Sequence, residues 1–163
     1  MKITFEKLPR NLDEMKALPQ AALDTPEGTA ALTVAALCVW PEDHEACYAM
    51  LDFLRGPRPL SNMEKQFIRD RFMDGKDYIP RSYFAGATPE NNYTPAQPLT
   101  LEFTVNPAPM AEQGYCRLDV RSGGADAARQ ITLRNKPSTG EWFLWEQALL
   151  AGIRVPASQD PWA

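Results

Sequence analysis

The sequence predicts an α+β fold, with three N-terminal helices packed on one face of a C-terminal antiparallel sheet of about four strands. Residues 25–75 carry helix start and stop signals around apolar stripes, whereas residues 99–146 alternate between apolar and polar side chains. The first pattern is typical of helices, and the second is typical of strands with one buried face. Because the two patterns occupy separate halves of the chain, they predict an α+β domain.

The first two predicted helices form a hairpin. Thr25 is the predicted N-cap of the first helix, and Pro26 takes the first helical position, where a missing N–H is tolerated. The segment that follows, up to Trp40, is apolar nearly all round, which predicts burial on most sides. Pro41 is predicted to start the second helix, and Gly56 is predicted to end it.

The third helix is predicted from a capping box. Ser61 and Glu64 have the spacing at which each side chain bonds the backbone N–H of the other. The predicted apolar stripe of this helix consists of Met63, Phe67 and Phe72, with Ile68 beside it. Gly75 is the predicted terminator.

The predicted sheet is a meander. Residues 99–105, 115–121 and 130–134 alternate with a period of two, and turn residues separate them. The glycine-rich residues 121–126 are predicted to form a hairpin turn, because a phosphate-binding loop would need a helix after it. Residues 141–151 fit either a strand or a helix. We favour a strand through Trp145, followed by a short turn or helix, because residues 132–145 have the form of a β-hairpin.

A single domain over residues 1–163 is predicted, since the length fits one core and no linker divides the chain. Its predicted parts are an N-terminal arm or short helix (1–24), a helical half (25–75), an irregular crossover (76–98), an antiparallel meander (99–146) and a C-terminal tail (147–163). The crossover is thus expected to be the sole connection between the helices and the sheet.

Charge and hydropathy narrow the function classes. The 17 basic and 21 acidic side chains give a net charge of −4 without a basic cluster, so nucleic acid is not an expected partner. No apolar run is long enough for a signal peptide or a membrane span, so no membrane contact is expected. Three cysteines without a disulfide spacing favour a reducing compartment, and the predicted location is the cytoplasm.

The residues that usually carry catalysis or bind metals are scarce. His44 is the only histidine, and it lies between two acids at a predicted helix start rather than beside a nucleophile. Cys38, Cys47 and Cys116 lack the paired spacing of a zinc site. We therefore predict no catalytic residues, no metal site and no cofactor, and leave enzymatic activity uncertain but not favoured.

Two stretches carry the candidate binding residues. The irregular stretch "PRSYFAGATPENNYTP" supplies Arg81, Tyr83, Glu90, Asn91, Asn92 and Tyr93, and the aromatic stretch "GEWFLWEQ" supplies Trp145 and Glu146. The first stretch fits an ordered crossover pinned by prolines and aromatic rings, or a ligand or partner site on a loop. An aromatic neighbourhood that desolvated Glu146 would raise its pKa.

Arginines on the predicted strands allow two further interpretations. Arg117, Arg121 and Arg134 occupy polar positions of neighbouring strands, with Glu102 and Asp119 among them. The arginines could form an anion-binding patch, whereas cross-strand ion pairs are the more usual arrangement.

Several strings together carry a family resemblance. They are "TPEGTAALTVAALCVW", "PLSNMEKQFIRDR", "YIPRSYFAGATPENNYTP", "SGGAD", "GEWFLWEQ" and "DPWA", within residues 20–163. With these strings the chain resembles a family of uncharacterised bacterial domains, seen mostly in Gram-positive gut bacteria and known only as a domain of unknown function. The resemblance implies no activity, substrate or site residue. The element order is also similar to that of the NTF2-like cone fold, which often encloses a small-molecule pocket.

Two functional hypotheses follow. The first is a non-catalytic binding or protein-interaction domain of a bacterial cytoplasmic protein, favoured by the single histidine and the loop rich in aromatics and asparagines. The second is a small-molecule-binding protein or enzyme with a pocket between helices and sheet, and with Glu90 or Glu146 as its acid-base group. A filled core with an exposed aromatic patch favours the first, and a deep pocket that holds a carboxylate favours the second.

Overall fold

A computed structural model describes residues 1–106 and 114–163 and shows helices followed by an antiparallel sheet. Its helices are α1 (Leu12–Lys16), α2 (Pro26–Val39), α3 (His44–Arg55) and α4 (Asn62–Arg71). Its strands are β1 (Lys2–Phe5), β2 (Leu99–Val105), β3 (Tyr115–Val120), β4 (Arg129–Lys136) and β5 (Glu141–Gln147). Short 3-10 helices lie at Pro19–Ala22, Lys76–Tyr78, Pro80–Tyr83, Pro89–Asn91 and Ala157–Gln159. Within the described ranges, no helix has the length and apolar character needed to cross a membrane.

In the described part of the chain the sheet has five strands in the order β1-β2-β3-β4-β5, and every pair of neighbours is antiparallel. The prediction of about four strands is therefore one too few, because the N-terminal arm supplies β1. Lys2 pairs with Glu102 and Phe5 with Leu99. A strand of four residues shows too little alternation for its own sequence to indicate it, and its pairing depends on a partner almost 100 residues away.

The prediction of three helices is one too few, because α1 forms in the N-terminal arm, where a short helix was one of two alternatives. The three predicted helices confirm most of the capping signals, with one displaced start. The Thr25 side chain accepts a hydrogen bond from the Gly28 N–H, and residues 28–37 of α2 are buried. The predicted start of the second helix at Pro41 is wrong. The N–H groups of residues 42 and 43 both donate to the Val39 carbonyl, so the chain makes a turn after α2. Helix α3 begins only after this turn, and Asp43 is its N-cap.

The third predicted helix, α4, has its capping box but not its predicted apolar stripe. Ser61 and Glu64 each accept a hydrogen bond from the backbone N–H of the other. The stripe prediction is wrong at two positions: Met63 is 83% exposed and Phe67 is 47% exposed, whereas Ile68 and Phe72 are buried. The helix also ends at Arg71, before the predicted terminator Gly75. Only one edge of α4 meets the core, which leaves two large apolar side chains at the surface.

The strands bury one face of the sheet against the helices. The buried apolar strand residues are Phe5, Leu101, Phe103, Leu118, Val120, Ile131, Leu133 and Leu144, and those of β2 and β3 follow the predicted alternation. Two positions depart from it: Val105, at the end of β2, is 65% exposed, and Thr132 of β4 is buried between Ile131 and Leu133. Helix α2 packs against β4 and β5, and α3 packs against α2 and β5. The ambiguous segment after residue 140 is a strand that continues to Gln147, two residues beyond its predicted end.

Two hydrogen bonds of Trp142 join strand β5 to helix α2 and to the loop before it. The Thr29 hydroxyl donates to the Trp142 carbonyl at 2.7 Å, and the Trp142 N–H donates to the Leu23 carbonyl at 2.7 Å. Both backbone groups of Trp142 are thus paired away from β4, on the outer edge of the sheet.

Candidate functional site

The two tyrosines of the crossover are turned into the core. Tyr83 is buried, and its hydroxyl donates to the Leu149 carbonyl. Tyr93 is fully buried, donates through its hydroxyl to the Arg154 carbonyl at 2.6 Å, and stacks on Tyr78 with 5.4 Å between ring centroids. Burial raises the pKa of Tyr93 to about 12. The two rings therefore bind the crossover to the C-terminal tail.

Asn91 and Arg81 close the same crossover on itself. The Asn91 side-chain oxygen accepts from the N–H groups of residues 88 and 94, and its amide donates to the Gly86 carbonyl at 2.7 Å. The Arg81 guanidinium donates to the backbone carbonyls of Asn92 and Tyr93. These hydrogen bonds show how the crossover is held together from within.

Three crossover candidates are exposed, Glu90, Asn91 and Asn92, and the side-chain amide of Asn91 makes the hydrogen bonds within the crossover. Glu90 and Asn92 remain as the candidates for contact with a partner, and Asn92 has a φ of +57°, a left-handed conformation that asparagine tolerates. A binding role for the crossover therefore stays a prediction, and these two side chains are the ones a partner could reach.

The glycine-rich connection between β3 and β4 is a platform for the crossover as well as a turn. The Ser122 hydroxyl donates to the Ser82 hydroxyl at 2.7 Å, and a side chain at Gly124 would overlap the Tyr93 hydroxyl. Gly123 lies so close to the Ala87 carbonyl that a side chain there would overlap it too. The glycines let the two backbones approach closely, a requirement that turn chemistry alone did not indicate.

Trp145 lies at an irregularity in β5. Thr132 of β4 is opposite Glu146, and the next residue, Leu133, is opposite Leu144, so Trp145 has no partner in the ladder. An extra residue of this kind is a β-bulge, which bends the strand and re-aims its side chain. The bulge therefore interrupts the regular pairing of β4 and β5 at Trp145, while Phe143 and Trp145 line the same cleft.

Two arginines and a tyrosine surround the Trp145 ring. The guanidinium carbons of Arg58 and Arg134 lie 3.8 Å and 4.6 Å from the ring centroid of Trp145. Tyr115 packs edge-on against Trp145 with 5.5 Å between centroids, and Arg134 lies 5.3 Å from the Tyr115 centroid. The Arg58 Nη2 also donates to the Trp145 carbonyl at 2.7 Å. Cation–π contacts of this kind fix where the two positive charges lie.

These side chains line a cleft of about 380 Å³, which we call the Trp145 cleft. Its lining includes Arg55, Arg58, Arg134, Lys136, Phe143 and Trp145. Arg55 is neutralised, because its Nη2 lies 2.6 Å from Glu64 Oε2. In the part of the chain that the structure describes, no carboxylate lines the cleft or forms an ion pair with Arg58, Arg134 or Lys136. The cleft is consequently positive, with an aromatic wall.

A second, apolar depression continues from the Trp145 cleft between helix α4 and strand β5. This α4–β5 groove has a volume of about 470 Å³ and shares Arg55, Arg58, Leu144 and Trp145 with the cleft. Its apolar lining includes Leu51, Leu60, Met63, Phe67 and Ile68. Glu146 also lines the groove, but it is exposed, so the aromatic residues beside it do not bury the carboxylate as the sequence suggested.

Comparison with known proteins identifies the family of the chain. A family model described as a domain of unknown function, DUF6935, matches residues 7–157. The chain belongs to this family. No curated protein matches it, and neither does any solved structure. The DUF6935 match spans the residues of both the crossover and the Trp145 cleft, and the description of the family states no function.

The reactive groups of this DUF6935 chain lie in unreactive surroundings. His44 is exposed and stacks on Trp40 at 3.8 Å between centroids. Desolvation raises the pKa of the Cys38 thiol to about 12 and also raises the pKa of Cys47. Across residues 1–106 and 114–163, no group of three or more His, Cys, Asp or Glu side chains is arranged to hold a metal ion.

Sequence reasoning about this DUF6935 domain selected Trp145 but not the residues that make its surroundings. The sequence places Arg134 in a possible strand patch, but no pattern in it assigns Arg58 or Tyr115 to the surroundings of Trp145. Arg58 follows α3, 87 positions before Trp145, so no local pattern links the two. The available signal was the alternation that places Tyr115 and Arg134 opposite each other on neighbouring strands.

Proposed function

We propose that this domain is a non-catalytic binding module and that its Trp145 cleft takes an anionic group of the partner. The observation that supports this most is the set of cationic side chains, Arg58, Arg134 and Lys136, in a cleft that no carboxylate of the described residues lines. Glu64 acts on Arg58 from the adjoining groove, without forming an ion pair with it. An arginine held against an aromatic ring keeps its N–H groups available for a carboxylate or phosphate. The Trp145 ring offers an apolar surface to the rest of the ligand.

A local positive cleft on a chain of net charge −4 favours a compact anion over a long polyanion. We therefore propose no nucleic acid and no membrane as partners, and no cofactor. A bacterial setting is proposed on the family resemblance, a cytoplasmic location on the cysteine pattern and the absence of a long apolar run, and an architecture like the NTF2-like cone on the element order. An enzyme that uses Glu90 or Glu146 has less support, because both carboxylates are exposed and Glu90 lines neither the cleft nor the α4–β5 groove.

Thermal unfolding with inorganic phosphate, citrate and a panel of aromatic carboxylates tests the proposal. A ligand at one hundred times its Kd stabilises a protein by about 2.7 kcal/mol, which raises the Tm of a chain of this size by about 5 to 10 °C. We expect one of these anions to produce such a shift in the wild type, and Arg134→Gln to remove it. Arg69→Gln is the matched control, because Arg69 is exposed on α4 and lies outside the cleft.

Failure of every anion to stabilise the wild type would contradict the proposal. An anion whose effect survives Arg134→Gln and Trp145→Ala would also contradict it, since the binding would then lie elsewhere on the surface. Trp145→Phe separates ring packing from the specific cation–π contact, because tryptophan binds cations more strongly than phenylalanine does.

A further inference from the structure

We propose that the α4–β5 groove binds an extended peptide segment of a partner protein, with apolar side chains in the groove and an acidic residue in the Trp145 cleft. This inference rests on the proposed function, because the acidic residue of the peptide uses the anion site. In this mode of recognition the peptide backbone pairs with the edge of the sheet, and its acidic side chain enters the positive cleft.

Strand β5 offers a sheet edge to such a peptide. It is the last strand in the sheet order, and among residues 1–106 and 114–163 its one strand partner is β4. At one end its outer edge is covered by Leu23 and Thr29, which bond both backbone groups of Trp142. At the other end the Trp145 carbonyl accepts from a long side chain, that of Arg58. The backbone N–H of a peptide can replace this side-chain donor, so the Trp145 carbonyl is an acceptor that a bound strand could use.

Helix α4 supplies the opposite wall of the groove. Met63 is 83% exposed, Phe67 is 47% exposed, and both line the groove beside the buried Ile68. Large apolar side chains at the rim of a groove mark an interaction surface, and methionine adapts its shape to varied partners. The capping box at Ser61 and Glu64 keeps the first turn of α4, and with it Met63, in place.

Charge favours an acidic residue at the cleft end of the peptide, because Glu64, which pairs with Arg55, and Glu146 line the groove, whereas no carboxylate among the described residues lines the cleft. Arg58 and Trp145 border both depressions, so a peptide that lies in the groove brings its next residues to Arg134 and Lys136 in the cleft. A carboxylate there gains charge-assisted hydrogen bonds from arginines that have no ion-pair partner among the described residues. Opposite potentials on the two partners also speed association and reject basic segments.

The test uses a fluorescein-labelled peptide with two aspartates next to alternating leucine and threonine, and fluorescence anisotropy as the readout. We expect the wild type to bind it, and a version with two lysines in place of the aspartates to bind at least about tenfold more weakly. Methylation of the backbone nitrogens that face β5 should weaken binding similarly, because strand pairing needs those N–H groups.

Substitutions at two exposed methionines distinguish binding in the groove from binding in the cleft. Met63→Asp should weaken peptide binding at least about tenfold and leave stabilisation by phosphate or citrate unchanged, since Met63 lines only the groove. Met73→Asp is the control: Met73 is 54% exposed and lies outside the groove, so both activities should persist. Both positions are at the surface, so the variants retain the fold.

Specific results would overturn the peptide proposal. If Met63→Asp leaves peptide affinity unchanged while Arg134→Gln abolishes it, the groove is not the peptide site and only the anion site remains. If octanoate binds and the peptide does not, with octanoate lost on Met63→Asp, the occupant is a small amphiphile. If Met63→Asp abolishes a concentration-dependent dimer seen by sedimentation, the groove belongs to an interface between copies of this chain. If neither peptide nor anion binds, the proposed function fails as well.

Discussion

Gly56 lies so close to the Phe143 ring that an added methyl group would stand 2.5 Å from two of its carbons. The residue ends α3 with φ of +60° and ψ of −117°, a combination that glycine adopts without strain. This contact brings the loop that carries Arg58 against β5, where Trp145 is. A small residue after α3 is therefore a structural condition for the Trp145 cleft.

Gly56→Ala should destabilise the protein by about 2–4 kcal/mol, because it adds overpacking against Phe143 to backbone strain. Urea unfolding measures the change. Gly75→Ala is the matched control, since Gly75 also has a positive φ, +73°, but a methyl group there meets nothing within 4 Å. The control should cost about 1 kcal/mol, and equal losses for the two variants would contradict the role of the Phe143 contact.

Asn91→Ala should cost about 2–3 kcal/mol, because its amide makes three hydrogen bonds within the crossover. Glu90→Ala, next to it and exposed, should change the free energy of unfolding by less than about 0.5 kcal/mol. Hydrogen exchange of the Thr88 and Thr94 amides should rise in the first variant and stay unchanged in the second. Similar stabilities for both variants would show that Asn91 does not fasten the crossover.

Tyr93 should make the fold sensitive to alkali. Burial raises its pKa to about 12, whereas an unfolded tyrosine titrates near 10, so the folded state holds the proton more tightly. The stabilisation is fully present below about pH 10 and is lost as the pH rises from about 10 to 12. In Tyr93→Phe the free energy of unfolding should therefore fall less steeply over this pH range than in the wild type.

The same variant has a second effect at neutral pH. Removal of the Tyr93 hydroxyl leaves the Arg154 carbonyl without its donor and should cost about 1–2 kcal/mol at pH 7. Tyr115→Phe serves as the comparison, because this ring lies half-buried at the sheet surface. Urea unfolding at several pH values measures both effects, and identical slopes for Tyr93→Phe and the wild type would contradict the alkaline prediction.

Thr29→Val should destabilise the protein by about 1–3 kcal/mol, because it leaves the Trp142 carbonyl without its hydroxyl donor. Thr33→Val is a close control within the same helix. Thr33 is equally buried, but its hydroxyl donates to the Thr29 carbonyl inside α2, which the helix ladder already satisfies. The control should cost less than about 0.5 kcal/mol, and the difference in urea midpoint between the two variants measures the bond between α2 and β5.

Local signals in the sequence were sufficient for several parts of the fold. The caps at Thr25 and Ser61, the Gly56 terminator and the alternation in β2 and β3 each depend on residues within a few positions. Neighbouring residues determine these features because capping hydrogen bonds and strand alternation are short-range. The two-residue error at the end of β5 is a boundary error of the same local kind.

The candidate site depended on contacts that no local pattern encodes. Trp145 was selected by its sequence context, but its surroundings come from Arg58, 87 positions earlier, and from a bulge in the β4–β5 pairing. The composition of the crossover indicates an unusual segment but not where its side chains point. Tyr93 is turned inward, where its hydroxyl donates a hydrogen bond to the carbonyl of Arg154, 61 positions later. Such pairings depend on the path of the whole chain.

By itself the sequence determined the α+β class, the caps of α2 and α4, and the alternation of β2 and β3, since these follow from hydrogen bonds and periodicity over a few residues. Only the tertiary structure decided that the arm forms β1, that Met63 and Phe67 face outward, and that two arginines meet Trp145. The physical reason is that burial and charge placement depend on which distant segments pack together, and packing chooses one edge of an amphipathic helix over another.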